Sequence, residues 1–169
     1  MRTKAFVVID IQNDITKNYK DMIDSLNQAI DWAVEHNIHV VYIRHENVSD
    51  GTRTFKPNTY GSELVSDLKK VSANVFTKHK ANALSSEAFA DFIRKNGICD
   101  FYIAGADAAV CVKSTCYNLR KANYKVTVLS DCVTSWDKKN LEDMLRYYES
   151  KGCEIVSLDA LCLGENTER

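Results

Sequence analysis

Residues 101–123, with the sequence FYIAGADAAVCVKSTCYNLRKAN, decide the fold class of this chain. An apolar run of strand length (101–104) is followed by a glycine-containing turn and then by a helix-length stretch (109–123). A strand that leads through a short turn into a helix is the repeating unit of a parallel sheet with crossover helices. The same unit recurs along the rest of the chain.

Strand-length and helix-length segments alternate throughout. The predicted strands are residues 6–9, 40–43, 75–76, 101–104, 126–129 and 155–158. The predicted helices are residues 20–36, 63–70, 86–96, 109–123 and 138–151. Apolar residues fill the strands instead of alternating with polar ones, which is typical of strands covered on both faces. The pattern therefore predicts an α/β fold on a mainly parallel six-stranded sheet.

Length, charge and the N-terminus narrow the classes of function. The 169 residues are 45% hydrophobic, which suits a single domain spanning 1–169. A formal net charge of −1 gives no overall attraction to nucleic acid or to an anionic membrane. Asp10 and Asp14 end the N-terminal apolar run, which is typical of neither a signal peptide nor a spanning helix. We therefore expect a cytoplasmic protein with no nucleic-acid or membrane partner.

The six cysteines show neither a CxxC pair nor a zinc-ligand spacing, so we expect reduced thiols. Residues 46–61 are polar, contain the only proline, and fit neither a strand nor a helix. They are predicted to form a long loop, and long loops in compact domains are often binding loops or lids.

Polar side chains stand at the C-terminal ends of the predicted strands. Asp10 follows the first strand, His45 the second and Lys78 the third, and the turn at 105–111 follows the fourth. Ligands of a doubly wound sheet bind beyond these ends of the strands. The topology is thus expected to bring an acid, a cation and the thiol of Cys111 to one edge of the sheet.

Cys111 lies near the start of the predicted helix at 109–123. Unpaired N–H groups and a partial positive charge at a helix N-terminus lower the pKa of a thiol from its free value of about 8.5. A thiolate there would be a nucleophile, and the same N–H groups would receive the oxyanion formed at a carbonyl. The alternative is a structural cysteine on the helix face toward the sheet.

Asp10 and Lys78 each have two interpretations. Asp10 is either a base that takes the thiol proton and passes it to a leaving amine, or an acid that ends a strand and begins a turn. Lys78 either tunes that carboxylate and stabilises developing negative charge, or is an ordinary surface lysine.

Three motifs resemble those of the isochorismatase-like cysteine hydrolases, a family that includes nicotinamidases and related amidohydrolases. VVIDIQND (7–14) is similar to the family's first-strand motif, FTKHKANAL (76–84) to its lysine motif, and GADAAVCV (105–112) to its nucleophile motif. The resemblance covers nearly the whole chain. It implies a Rossmann-like doubly wound sheet with helices on both faces, a triad of Asp10, Lys78 and Cys111, and a homodimer or larger homo-oligomer.

The resemblance also implies a cis peptide bond between Ala106 and Asp107, which directs the N–H groups of Asp107 and Cys111 at the substrate oxygen. In the implied reaction Asp10 deprotonates Cys111 and the sulfur attacks an amide-like carbonyl. The amine leaves with the proton, and water hydrolyses the thioester.

The nucleophile turn departs from the family pattern. Ala108 and Ala109 stand where the family usually has Thr and Asp, and Asp107 stands where a small aliphatic residue is common. An inward-pointing carboxylate at Asp107 would raise the free energy of a nearby thiolate. These departures motivate an alternative, a non-catalytic small-molecule-binding protein on the same scaffold. A thiol redox protein using Cys111 is a third hypothesis, against which the lack of a CxxC partner counts.

Three further residues are candidates for the pocket wall. Ile15 replaces the aromatic residue that commonly follows the first-strand motif. His45 either lines the pocket or is a hydrogen-bonded strand-end histidine, and Trp136 either walls the site or packs on a neighbouring subunit or helix. The four histidines lack ordinary metal-ligand spacing, so we predict no metal and no cofactor. The sequence predicts a cysteine hydrolase of a small amide or related C–N substrate, acting through a thioester acyl-enzyme.

Overall fold

A six-stranded parallel sheet forms the centre of the protein. The structure, a computed structural model, describes residues 2–164. Its strands are β1 Thr3–Ile9, β2 His39–His45, β3 Val75–Lys78, β4 Ile98–Gly105, β5 Lys125–Val133 and β6 Glu154–Val156. Every neighbouring pair is parallel, in the order β3-β2-β1-β4-β5-β6. This is the strand order of the Rossmann fold, so the predicted α/β class and doubly wound sheet are confirmed.

Helices cover both faces of the sheet. They are α1 Asn13–Thr16, α2 Ile23–Glu35, α3 Glu87–Asn96, α4 Cys111–Lys121, α5 Leu141–Ser150 and α6 Leu158–Gly164. Phe6 and Val8 of β1 pack in the apolar core that includes α2 and α6. Val7 and Ile9 of the same strand pack in the opposite core, with α3, α4 and α5. Both faces of β1 are buried, which explains its unbroken apolar sequence.

Local signals fix the ends of α3. The hydroxyl of Ser86 accepts a hydrogen bond from the N–H of Phe89 at 3.3 Å, which satisfies a free donor of the first turn. Gly97 ends the helix in the left-handed conformation, with φ of 60°. Between residues 2 and 164, no helix is long and apolar enough to cross a membrane.

The prediction of a helix at 63–70 is wrong. Leu64 instead forms an antiparallel bridge with Gln12. The side chain of Asn27 accepts from the N–H of Lys69 at 2.8 Å and donates to the carbonyl of Asp67 at 2.9 Å. The apolar spacing of this segment suits a helix, but hydrogen bonds to distant residues satisfy its backbone instead.

The last strand and helix also differ from the prediction. The strand predicted at 155–158 ends at Val156, and Leu158 begins α6, which was not predicted. The N–H of Leu158 donates to the carboxylate of Asp131 at 2.9 Å, so an acid from β5 supplies the start of this helix. Helices α2 and α5 begin three residues later than predicted, after single 3₁₀ turns at Lys20–Met22 and Lys138–Asn140.

The middle of the sheet is the switch point where the strand order reverses, between β1 and β4. The chain leaves β4 through Gly105, which has φ of 119°. A Cβ atom at position 105 would lie 2.2 Å from the carbonyl oxygen of Ile9, so only glycine permits this approach. The close approach brings the turn after β4 against the end of β1, where Asp10 stands.

Candidate active site

Lys78 is the centre of a buried cluster at this edge of the sheet. Its side chain is fully buried, and its ammonium nitrogen lies 3.1 Å from Oδ2 of Asp10, 2.9 Å from Nδ1 of His45 and 3.3 Å from Sγ of Cys111. A lysine ammonium has three N–H donors and no acceptor. The three neighbours therefore use its whole donor capacity. The structure brings together the acid, the cation and the thiol that the sequence singled out.

The cluster fixes the tautomer of His45. Because Lys78 can only donate, Nδ1 of His45 must accept, and the ring proton is on Nε2. Nε2 lies 2.8 Å from the side-chain oxygen of Asn47, which accepts that proton. Burial lowers the pKa of His45, and the positive charge of Lys78 lowers it further, although Asn47 and Asp10 oppose the change. His45 is thus a neutral side chain that both lines the pocket and is hydrogen-bonded at a strand end.

Asp10 is buried with one oxygen unused. It follows β1 in the left-handed conformation, with φ of 54°, and is 2% exposed. Oδ2 accepts from Lys78, whereas Oδ1 is buried and has no hydrogen-bond partner among the described residues. Burial raises the pKa of Asp10 because it disfavours the charged carboxylate, although Lys78 and the thiol of Cys111 oppose that rise. A buried carboxylate with a free oxygen and a raised pKa is suited to accepting a proton.

Cys111 is the first residue of α4 and lines the cavity described below. Among residues 2–164 no disulfide bond is formed. Burial and the nearby Asp10 carboxylate raise the pKa of Cys111 to about 12, although Lys78 opposes the change. The expectation of a lowered thiol pKa is therefore wrong for the resting site. Position at a helix N-terminus favours the thiolate, but loss of solvent and an adjacent negative charge have the larger effect. A negative charge on Asp10 therefore favours the protonated thiol of Cys111.

Hydrogen bonds to side chains and carbonyl groups of the turn after β4 fix the position of that turn. The Ala106–Asp107 peptide bond is cis, as the resemblance implied. The hydroxyl of Tyr148, from α5, donates to the carbonyl of Ala108 beneath the turn. Among residues 2–164, the backbone N–H groups of Asp107 and Cys111 have no hydrogen-bond partner. Both residues line the cavity, so these two N–H groups are available to an oxygen atom of a ligand.

The carboxylate of Asp107 is itself fully engaged. Oδ1 accepts from the hydroxyl of Ser135 at 2.7 Å and from the N–H of Ala109 at 2.9 Å. Oδ2 accepts from the N–H of Trp136 at 2.8 Å and from the hydroxyl of Tyr19 at 3.3 Å. Asp107 therefore joins the nucleophile turn to the segment after β5 and to the segment before α2.

A cavity of about 470 Å³ opens beside the cluster, enough for a small organic molecule. Its lining residues are Asp10, Ile15, Tyr19, His45, Asn47, Thr54, Phe55, Ala81, Asp107, Val110, Cys111 and Trp136. The predicted pocket residues Ile15, His45 and Trp136 are all among them. Trp136 is 68% exposed at the mouth of the cavity, so within this chain it walls the site and is not packed against a helix.

Sequence reasoning missed Tyr19 and Phe55. Phe55 belongs to the loop predicted at 46–61, where an aromatic residue in a polar segment was an available signal. Its N–H donates to Asp14 at 2.6 Å, and its ring lies 6.0 Å from that of His45. Tyr19 gave no signal, because only the folded chain brings it to Asp107, 88 positions away.

The side chain of Gln12 connects the two ends of the 46–61 loop. Its side-chain nitrogen donates to the carbonyls of His45 and Ser62, at 2.8 Å each, and its oxygen accepts from the N–H of His45 at 2.9 Å. Gln12 is fully buried. Both ends of the 46–61 loop are thus attached to one side chain, while its tip around 48–51 is exposed.

Asp10, His45 and Cys111 carry ligand atoms that lie within 4.8 Å of one another, a grouping of the kind that binds transition metals. The ammonium of Lys78 lies within hydrogen-bond distance of all three, in the position that a cation would take. A metal ion there would have to displace a positive charge that is fully buried. These three residues do not fit a metal centre.

The fold and the site together define a small Rossmann-like α/β protein in which Asp10, Lys78 and Cys111 meet at the switch point of the sheet. The family model of the isochorismatase domain matches residues 4–160, and the chain belongs to the isochorismatase family.

Relatives and a solved structure agree with this assignment. The chain is 25% identical to the uncharacterized isochorismatase family protein YddQ of Bacillus subtilis (strain 168), with 79% of each chain covered. It is 24% identical to the probable inactive nicotinamidase At3g16190 of Arabidopsis thaliana, over 79% of this chain and 82% of that protein. The crystal structure of the pyrazinamidase of Pyrococcus horikoshii in complex with zinc shares the fold, with a TM-score of 0.83, 23% identity, and coverage of 92% and 99%.

Proposed function

We propose that this protein hydrolyses the amide or a related C–N bond of a small molecule, with Cys111 as the nucleophile. The observation that carries the proposal is the contact of one buried ammonium, that of Lys78, with both Asp10 and Cys111 on the wall of a cavity of about 470 Å³. Membership of the isochorismatase family, whose fold the pyrazinamidase of Pyrococcus horikoshii shares, supports the same class of reaction.

Asp10 is the proposed base of the first step. The free Oδ1 atom takes the proton of the Cys111 thiol as the sulfur attacks the carbonyl carbon. Proton transfer removes the negative charge that raises the thiol pKa, while the ammonium of Lys78 remains 3.3 Å from the sulfur. The thiolate is thereby formed at the moment of attack instead of standing ready at neutral pH.

The N–H groups of Asp107 and Cys111 are the proposed donors to the substrate oxygen. The carbonyl oxygen gains negative charge as the C–S bond forms. Each preorganised donor that stabilises this charge raises the rate constant kcat by about a hundredfold or more. When the C–N bond breaks, Asp10 gives its proton to the departing nitrogen, and the acyl group remains on Cys111 as a thioester.

Water completes the cycle. Asp10, again a carboxylate, takes a proton from a water molecule whose oxygen attacks the thioester carbonyl. The C–S bond breaks, the carboxylic acid product leaves, and the proton on Asp10 returns to the sulfur. The sum is amide plus water giving acid plus amine, with thiol and carboxylate restored.

The decisive experiment is ammonia release from a panel of small primary carboxamides. Cys111→Ala should abolish release, and Asp10→Asn should reduce kcat by about 10²- to 10⁴-fold. Cys99→Ala, which removes a thiol outside the cavity, is the matched control and should keep full activity. Mass spectrometry after rapid quenching should find the acyl group on Cys111. Turnover that survives Cys111→Ala would overturn the proposal.

The raised thiol pKa and the relative described as a probable inactive nicotinamidase favour one alternative, a binding protein without turnover. In that case calorimetry would detect binding of the same carboxamides, with Cys111→Ala binding them equally well. Neither ammonia nor an acyl adduct would form with the unaltered protein. The two functions therefore give opposite results in the quench experiment.

A further inference from the structure

The charge of the cavity wall is one-sided. Two of the residues that line it, Asp10 and Asp107, are acids, and among the described residues no lysine or arginine lines it. The formal net charge of the whole chain is only −1. The wall therefore offers no cationic partner to an anionic group of a ligand.

Lys78 cannot be the cationic partner of such an anionic group, although it lies behind the cavity wall. Its three N–H bonds are directed at Asp10, His45 and Cys111, and its side chain has no exposed surface. A ligand carboxylate could reach the ammonium only by displacing one of these three groups. The positive charge belongs to the reacting cluster and is not available to bind a substrate.

Hydrogen-bond donors surround the carboxyl group of Asp107. All four of its hydrogen-bond partners are donors: the hydroxyls of Ser135 and Tyr19 and the N–H groups of Ala109 and Trp136. Two of them, the backbone N–H groups, can only donate, and with both hydroxyls also donating the set suits a carboxylate, whose two oxygens accept all four bonds. The donors hold the charge at the cavity wall and do not neutralise it.

Three aromatic side chains, Tyr19, Phe55 and Trp136, form another part of the same wall. The face of an aromatic ring carries partial negative charge and attracts cations, with tryptophan the strongest. A ligand that contacts the face of one of these rings is thus favoured in the same direction as by the carboxylates, with positive charge preferred over negative charge.

Building on the proposed function, we infer that the substrate is a small amide without negative charge, that amides bearing an ammonium group are preferred, and that amides bearing a carboxylate are excluded, with Asp107 setting this preference. Like charges brought together in a partly buried site repel, and the cost appears as weaker binding. Replacing Asp107 by a neutral residue of the same shape removes that repulsion.

The test uses three amides of similar shape and different charge: 4-(aminomethyl)benzamide, 4-(hydroxymethyl)benzamide and 4-carbamoylbenzoate. Binding to Cys111→Ala is measured by calorimetry, because this variant reports affinity without chemistry. We expect the cation to bind most tightly, the neutral amide next, and the anion about tenfold or more weaker than the neutral one. Adding Asp107→Asn should reduce the difference between cation and anion by about tenfold.

Asp31→Asn is the matched charge control, since Asp31 lies on α2 in an exposed ion pair with Lys69 and should leave the order unchanged. If Asp107→Asn fails to fold, ionic strength replaces it: raising salt from about 0.02 to 0.5 M should narrow the difference between cation and anion. Equal binding of all three amides, tighter binding of the anion, or no binding at all would overturn the inference. The predicted order of binding without ammonia release by the unaltered protein would instead refute the proposed hydrolysis alone.

Discussion

Removing the ammonium of Lys78 tests the organisation of the whole site. Lys78→Met keeps an unbranched side chain that is one atom shorter and deletes the charge. Asp10, 2% exposed, then loses its counter-ion while remaining in a nearly dry environment. Breaking a buried ion pair by removing one partner costs about 3–5 kcal/mol, against a total stability of about 5–15 kcal/mol for a domain. The variant should fold, with a free energy of unfolding reduced by that amount at pH 8.

The size of the loss should depend on pH. Lys78 opposes the rise in the pKa of Asp10, so the variant raises that pKa further above the unfolded value of about 3.9. For a carboxyl with a raised folded pKa, stability is present below the unfolded pKa and is lost as pH rises through the folded pKa. The difference between variant and unaltered protein should therefore be largest at pH 8 and shrink on going to pH 5.

Urea unfolding at pH 5, 6, 7 and 8 measures both effects. Lys69→Met is the matched control, because Lys69 and Asp31 form an ion pair of 2.7 Å whose side chains are each 49% exposed. That variant should lose no more than about 1 kcal/mol. Adding Asp10→Asn to Lys78→Met should recover much of the loss. An equal, pH-independent loss in the Lys78 and Lys69 variants would refute the reasoning that burial gives the ammonium its importance.

Three further predictions concern the nucleophile and its turn. Alkylation of Cys111 by iodoacetamide should accelerate with pH through pH 10 without a plateau near neutrality, because its pKa is about 12, and Asp10→Asn should speed alkylation at pH 7 by removing a charge that raises that pKa. Gly105→Ala should lower the melting temperature strongly or prevent folding, since its Cβ would lie 2.2 Å from the carbonyl oxygen of Ile9. Tyr148→Phe should cost about 1–3 kcal/mol in urea unfolding, because it leaves a buried carbonyl of the turn without its donor.

The sequence predicts the placement of the site better than its electrostatics. Asp10, Lys78 and Cys111 were expected at one edge because parallel strands share an end, and that argument needs only the alternation of strands and helices. The sign of the thiol pKa shift depends on burial and on the distance to a carboxylate, neither of which a linear pattern contains. A linear pattern also does not contain the information that the Lys78 ammonium donates to three groups at once.

Other differences arise where distant residues replace local preferences. The helical spacing at 63–70 was overridden because Ile11, Asn13 and Asn27, far away in sequence, satisfy that backbone. Tyr19 joins the cavity wall through Asp107, 88 positions along the chain. The carboxylate of Asp107 was expected only to affect a thiolate, and three of its four donors, on Tyr19, Ser135 and Trp136, come from segments whose proximity depends on the finished fold.

Because both ends of the 46–61 loop are attached to Gln12, the part of the wall that contacts a ligand can change independently of the reacting groups. Because the base is anchored and the tip is exposed, substitutions or insertions near 48–51 can reshape the wall carried by Asn47, Thr54 and Phe55 without moving the strands that hold the reacting groups. Ligand preference is therefore free to diverge among descendants of this scaffold while the chemistry is inherited unchanged.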